Sequence, residues 1–277
     1  MCLIVFAWRA HPRYRLMVAA NRDEYFGRPS APAAFWDDHP RVLGGRDLEA
    51  GGSWLGITPQ GRFAALTNYR NPADKKPSAP SRGALVSEFL IGKAAPEEYT
   101  RKVEKRAADY NGFSLVVGDA ESMFFFSNRG GRATRVEPGV HGLSNHLLDT
   151  PWPKVEKAKA GVAKELSKAF DASAMFQLLD DTGQAQNDEL PSTGVSLELE
   201  ERLSAIRILA VGGYGTRCST VLSFGVNGKV EFHERSYRED GSTSGTVSYR
   251  FTVLPEKARA SSRRGESPPP KTPLPSR

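Results

Sequence analysis

The chain has 277 residues, 39% hydrophobic and 25% charged, with 26 Gly and 19 Pro, a globular balance that is neither collagen-like nor wholly disordered. No uncharged apolar stretch reaches the roughly 18 residues that a membrane helix needs. Two cysteines, Cys2 and Cys218, exclude a disulfide framework and point to a reducing cytoplasm. Of the net charge of +6, the segment 257–277 carries +5 and the other 256 residues +1, so the body shows no general nucleic-acid footprint. Residues 1–255 are expected to form one domain. The Ser-, Pro- and Arg-rich segment 256–277 is expected to be a disordered basic tail.

The pattern predicts strands at Cys2–Trp8 and Arg15–Ala20, joined by a turn at His11–Arg13, a hairpin that sets the first residues of the chain inside a sheet. The short apolar run Cys2–Trp8 has no basic leader before it, so a signal peptide is not expected. Residues 27–61 read as glycine-rich turns and loops. They hold Gly44-Gly45-Arg46-Asp47 and Gly51-Gly52-Ser53-Trp54-Leu55-Gly56, without the Lys-Ser/Thr ending of a phosphate loop. A strand is expected at Arg62–Asn68. Helices are expected at Arg82–Ile91, with Ser81 as N-cap, and at Pro96–Tyr110, whose Pro and two Glu suit a first turn. Strands at Phe113–Gly118, Ser122–Asn128 and Val140–Asn145 lead to a helix at Lys154–Phe170, a second helical piece at Ala172–Leu179, and a short helix through Leu199, Leu203 and Ile206. Strands Ser219–Val226 and Lys229–Tyr237 flank Asn227-Gly228, the strongest hairpin signal in the chain, and Tyr249, Phe251 and Val253 alternate as a half-buried strand. Strands, paired helices, strands, helices and strands in that order indicate an α+β fold dominated by hairpins.

Cys2 is the most informative residue. Removal of Met1 would leave a thiol and a free α-amine on one residue, the amine with an ordinary pKa of about 7.7–8.0 that suits a general base. The competing reading is a small hydrophobe at the start of a buried strand. Asn21-Arg22-Asp23-Glu24 follows the second strand and, in an antiparallel hairpin, would lie beside Cys2. There Arg22 would favour thiolate and Asp23 would orient the amine or Arg22, unless the run is a solvated turn. Asn68 and Asn145 end strands and suit an oxyanion site or a turn equally. Arg217 suits a carboxylate clamp or a surface ion pair. His141 and His146 flank Asn145 without a third ligand of metal spacing.

Met1-Cys2-Leu3-Ile4, Asn21-Arg22-Asp23-Glu24, the Gly-Gly-Arg-Asp and Gly-Gly-Ser-Trp-Leu-Gly runs, Thr67-Asn68-Tyr69-Arg70, Gly142-Leu143-Ser144-Asn145 and Tyr214-Gly215-Thr216-Arg217 resemble, in order from residue 1 to about 253, the NRDE family, also called the transport-and-Golgi-organisation protein 2 family. The resemblance implies a four-layer αββα fold like that of the N-terminal-nucleophile hydrolases. It is more distantly similar to penicillin V acylase and bile salt hydrolase, whose roles would fall on Cys2, Arg22, Asp23, Asn68, Asn145 and Arg217. In those acylases the Arg and Asp are separated. Here they are adjacent, and neighbours in an extended strand face opposite ways, which opens the role of Asp23 to Asn21 or Glu24.

Two functions follow from the resemblance. One is a Cys-dependent amidohydrolase or acyl-transfer enzyme for a small amide or acyl substrate, with no required cofactor. The other is a non-catalytic carrier of haem or of a lipid or acyl-CoA ligand on the same scaffold. Neither involves nucleic acid or an integral membrane segment.

Overall fold

The structure is a computed structural model that describes residues 2–73 and 76–253. The tail expected at 256–277 lies outside these residues. The chain runs β1 (Cys2–Trp8), β2 (Tyr14–Tyr25), β3 (Ser30–Phe35), β4 (Leu43–Asp47), β5 (Leu55–Ile57) and β6 (Phe63–Asn68), then α1 (Gly83–Ile91) and α2 (Pro96–Lys105). It continues through β7 (Phe113–Gly118), β8 (Met123–Ser127), β9 (Thr134–Arg135) and β10 (Gly139–Leu143) to α3 (Pro153–Glu165), α4 (Ala172–Leu179) and α5 (Leu197–Leu203). It closes with β11 (Tyr214–Gly225), β12 (Lys229–Tyr237) and β13 (Thr243–Thr252). Two antiparallel sheets result, one in the order β10-β1-β2-β11-β12-β13 and one running β3 to β9 in sequence.

The period-two alternation of each strand divides its side chains between two cores. In β1, Ile4, Phe6 and Trp8 enter the space between the sheets with Leu16, Val18 and Ala20 of β2, and meet Leu43, Leu55, Ile57, Phe63 and Val116 of the second sheet. The alternate residues Leu3, Val5, Ala7, Met17 and Ala19 face outward and are covered by Val155, Ala158 and Val162 of α3 and Met175, Phe176 and Leu179 of α4. On the far side, Ala64, Leu66, Phe113, Leu115 and Val117 are covered by Leu85, Val86, Phe89, Tyr99 and Val103 of α1 and α2. These are four layers, αββα, in an α+β fold. β1 and β2 are buried on both faces, which explains why they read as nearly continuous apolar runs.

Several expectations are corrected. Residues 27–61 hold three strands, β3 to β5, rather than only loops. The glycines here give room rather than looseness: a Cβ at Gly44 would lie 2.6 Å from the Leu55 carbonyl oxygen, and one at Gly45 would strike the Trp54 ring at 2.1 Å. β2 runs on to Tyr25, so Asn21–Glu24 lies within a strand, held there by pairing with Gly215–Ser219 of β11. β11 itself begins at Tyr214, five residues before the expected Ser219. α1 starts at Gly83, and no side chain caps it; Ser81 contributes only its carbonyl, to the Ala84 N–H. α2 ends at Lys105 and α3 at Glu165, both short of their expected ends. In α5 the buried residues include Glu200 as well as Leu203, so its inner face is not purely apolar. The Asn227-Gly228 turn closes as expected, with Gly228 at φ 82° and the Asn227 side chain accepting from the Lys229 N–H at 3.0 Å.

Hydrogen bonds across the end of the sandwich tie the sheets together. Thr67 Oγ1 of β6 donates to the Ser144 carbonyl, just past β10. Asn145 Nδ2 donates to the Asn68 carbonyl at 2.9 Å, and the Arg70 N–H to the Asn145 carbonyl at 2.7 Å. The loop at Gly52 packs its backbone against the start of α1, where a Cβ would stand 2.4 Å from the Gly83 carbonyl carbon. The Gly52→Ala variant is therefore expected to lose about 1–3 kcal/mol in urea denaturation. Gly27→Ala, whose Cβ meets nothing within 4 Å, should stay within about 0.5 kcal/mol of the parent.

Candidate active site at the start of the first strand

Cys2 is the first residue of β1 and pairs with Arg22 of β2. Its carbonyl accepts from Ser144 Oγ at 3.1 Å, which fixes the strand's first residue against the segment after β10. The Cys2–Arg22 pair faces the space between the sheets. Arg22 is buried, its guanidinium stacked 4.2 Å from the centre of the Trp54 ring, and its Nη1 has no hydrogen-bond partner among the described residues. A cavity of about 10 Å³ bounded by Cys2, Arg22, Trp54 and Leu66 lies here, room for about one water molecule.

Asn21 and Asp23 take the opposite face, as the pleat requires. Asn21 is wholly engaged in structure: Nδ2 donates to the carbonyls of Leu179 and Ile206 at 2.9 Å each, and Oδ1 accepts from Ser219 Oγ at 2.6 Å. It fastens the end of α4 to the sheet. Asp23 Oδ1 accepts from Thr216 Oγ1 at 2.6 Å, and its carbonyl accepts from the Tyr214 hydroxyl at 3.1 Å. Glu24 accepts from the Tyr25 N–H through Oε1, at the rim. Because Cys2 stands at the strand's end, groups from both faces act on it.

Burial governs the titration of the site. It is the largest influence on the Cys2 thiol and pushes its pKa up. The Asp23 carboxylate adds to the rise, while the Asp23 backbone N–H and the Arg22 guanidinium oppose it. Arg22 does favour the thiolate, as expected, but desolvation outweighs its pull. Burial likewise pushes the Asp23 carboxyl up, against the pull of Lys154, the Thr216 hydroxyl and Arg70.

Asn68 and Asn145 arrive at the same end through the inter-sheet bonds. The Asn145 amide is committed by one N–H to the Asn68 carbonyl. Arg217 is the extra residue of a bulge in β11 between Thr216 and Cys218. Its guanidinium donates to the carbonyls of Tyr25 (2.7 Å) and Arg28 (3.0 Å) and to Ser30 Oγ (3.2 Å), so it holds the segment leaving β2 rather than facing Cys2.

Sequence reasoning missed several residues here. Arg70 forms a buried ion pair with Glu200 and lies 4.8 Å from the Trp152 ring centre. Ser144 holds the Cys2 carbonyl. Lys154, on α3, is 2% exposed and acts electrostatically on both Asp23 and Cys2. One signal was available: Lys154 lies at i, i+4 and i+8 with Ala158 and Val162, on the buried stripe of its helix. Among the described residues no group of three or more His, Cys, Asp or Glu is placed to hold a metal ion. Nor is any helix among them long and apolar enough to cross a membrane.

Two antiparallel sheets between helical layers, with a cysteine opening an inner strand and an arginine across from it, define a four-layer αββα protein of the α+β class. The chain belongs to the Transport and Golgi organisation 2 family, whose sequence profile matches residues 1–239. The mouse Transport and Golgi organization 2 homolog is 37% identical over 275 residues, covering 91% of this chain and 99% of the relative. The human homolog is 36% identical with the same coverage, and the Drosophila melanogaster protein is 29% identical over 268 residues, covering 85% and 92%. Among solved structures, the chain is similar to a Caenorhabditis elegans N-acylethanolamine-hydrolyzing acid amidase ortholog, at 11% identity and TM-score 0.46, covering 80% of this chain and 92% of that one. It is also similar to a conjugated bile acid hydrolase from Clostridium perfringens, at 8% identity and TM-score 0.40, covering 91% and 98%.

A raised Asp23 pKa makes the folded protein bind a proton there more readily than the unfolded chain, whose carboxyl titrates near 3.8. Its contribution to stability therefore falls as pH rises from that value through the folded-state pKa, and levels off above it. In Asp23→Asn this component disappears. Urea denaturation at pH 4 and pH 7 should show the variant gaining stability relative to the parent as pH is raised.

Proposed function

We propose that the protein is a Cys-dependent amidohydrolase or acyl-transfer enzyme for a small amide or acyl substrate, formed once Met1 is removed. The observation that carries this reading is Cys2 itself: a thiol at the first position of a buried strand, with the Arg22 guanidinium across from it. A thiol raised by burial attacks as the neutral group and needs a base at the moment of attack. The α-amine of a mature Cys2 is that base, covalently adjacent and near neutrality in its ordinary pKa of about 7.7–8.0.

The sulfur adds to the acyl carbonyl while the thiol proton passes to the amine. The oxyanion is stabilised by the Asn68 side chain and the second N–H of the Asn145 amide. The ammonium then returns its proton to the departing nitrogen, the C–N bond breaks, and a thioester remains. Water, deprotonated by the same amine, releases the acid, or a second acceptor takes the acyl group. Arg22 and Asp23 orient the nucleophile, and Arg217 acts at one remove by holding the 25–30 segment. No cofactor is called for, and two free cysteines suit a cytoplasmic setting.

Intact-mass measurement of the purified protein should show a chain lighter by one methionine. Incubation with p-nitrophenyl butyrate should release nitrophenol and leave an acyl group on Cys2, and Cys2→Ala should abolish both. Asn68→Ala should lower kcat by about 10²–10³. Retained Met1 in soluble protein overturns the mechanism. A saturable haemin spectral shift that is insensitive to Cys2→Ala, with no turnover, would instead support the carrier reading.

A further inference from the structure

Lys154 is a charge buried where packing alone would place an apolar residue. It is 2% exposed, and its Nζ has no hydrogen-bond partner among the described residues. It shares the inner stripe of α3 with Ala158 and Val162. As the second residue of its helix it also sets a cation against the positive end of the helix dipole. Two electrostatic penalties therefore fall on one residue, and a methionine or leucine would avoid both.

What surrounds it gives the reason. The charged and titratable groups whose fields reach the ammonium come from several elements: Asp23 from β2, Cys2 from β1, Arg70 from the loop after β6 and Glu200 from α5. Glu200 is already engaged by Arg70 and by the Thr193 N–H and hydroxyl. That leaves Asp23 as the anion on which Lys154 acts most. Asp23 lies one residue beyond Arg22, the partner of Cys2. In an antiparallel pair that places Asp23 on the side from which the chain enters β1, next to the Cys2 nitrogen.

We propose that Lys154 is a positioning residue of the Cys2 site: its ammonium holds the Asp23 carboxylate in the anionic form, and Asp23 in turn holds the nitrogen of Cys2. The second half of this chain rests on the function proposed above; the link between Lys154 and Asp23 does not. The electrostatics agree. Burial pushes the Asp23 carboxyl up, and Lys154 is the foremost described side chain that opposes the rise. Burial also brings Lys154 down to about 8, mainly by desolvation and partly through Arg70, against the pull of Asp23, Cys2 and Glu200. It is therefore still charged at neutral pH and loses its charge just above it.

Lys154→Met tests this, because the substitution keeps length and volume and removes the charge. With carboxyl-¹³C aspartate, and Asp23→Asn to assign the signal, the Asp23 titration should move up by about one pH unit, a tenfold gain in proton affinity. The variant's thermal midpoint should stay near the parent's, because relief from a buried cation offsets the loss of its attraction to Asp23. With p-nitrophenyl butyrate, the acid limb of kcat/KM should move up in parallel with Asp23, with KM little changed. An unmoved Asp23 titration, or a markedly lower melting point, overturns the proposal. These readings stay separate from the enzymatic one: retained Met1 or an active Cys2→Ala would defeat the mechanism while leaving the Asp23 titration to judge Lys154.

Discussion

The structure depends on one constraint: the start of the chain is pinned inside a sheet rather than left to fray. Chain termini normally cost little to release. Here β1 lies between β10 and β2, and Leu3, Val5 and Phe6 are fully buried within its first five residues. Each such side chain contributes about 1.5–3 kcal/mol on burial, which offsets the roughly 1–2 kcal/mol per residue of backbone ordering. The Ser144 hydroxyl on the Cys2 carbonyl, the Thr67 hydroxyl on the Ser144 carbonyl and the Asn145 amide on the Asn68 carbonyl carry that order to the last turn of the sandwich. A cysteine on a frayed end would have no defined neighbours; Cys2 has Arg22 across the ladder.

The same burial makes the site electrostatically expensive. Desolvation raises the thiol and the carboxyl, and lowers the Lys154 and Arg70 cations. The fold pairs some of these charges, as Arg70 with Glu200, and leaves others, Arg22 Nη1 and Lys154 Nζ, without hydrogen-bond partners among the described residues. A core arranged for stability alone would exchange them for hydrocarbon. Local rules are thus broken in one neighbourhood, while the rest of the molecule is closely packed.

Which features were legible follows from how far each signal reaches. The Asn227-Gly228 turn, the α3 stripe and the apolar runs of β1 and β7 are local, and each was readable because the residues that decide it lie within a few positions. The adjacency of Arg22 and Asp23 was also enough to show that they face opposite ways. The three strands in 27–61 were not readable. Their glycines look like turn residues, and only the Leu55 carbonyl and the Trp54 ring, seen in place, show that a Cβ would collide. Asn21 resembled a site residue until the Leu179 and Ile206 carbonyls engaged it. Arg217 by its sequence suits a carboxylate clamp or a surface ion pair alike, and only the bulge directs it to the carbonyls of Tyr25 and Arg28.

The amino-acid order by itself determined the alternation that splits the strands between two cores, the tight turn after β11, and a cysteine poised at the first strand. These are short-range consequences of side-chain period and backbone freedom. Only the tertiary structure decided that Lys154 on α3, Arg70 after β6 and Asp23 on β2 share one buried neighbourhood, and that desolvation there outweighs the pull of Arg22 on the thiol. Solvent exclusion and charge coupling act through space, between residues as far apart in sequence as Asp23 and Lys154, and become defined only when the layers close.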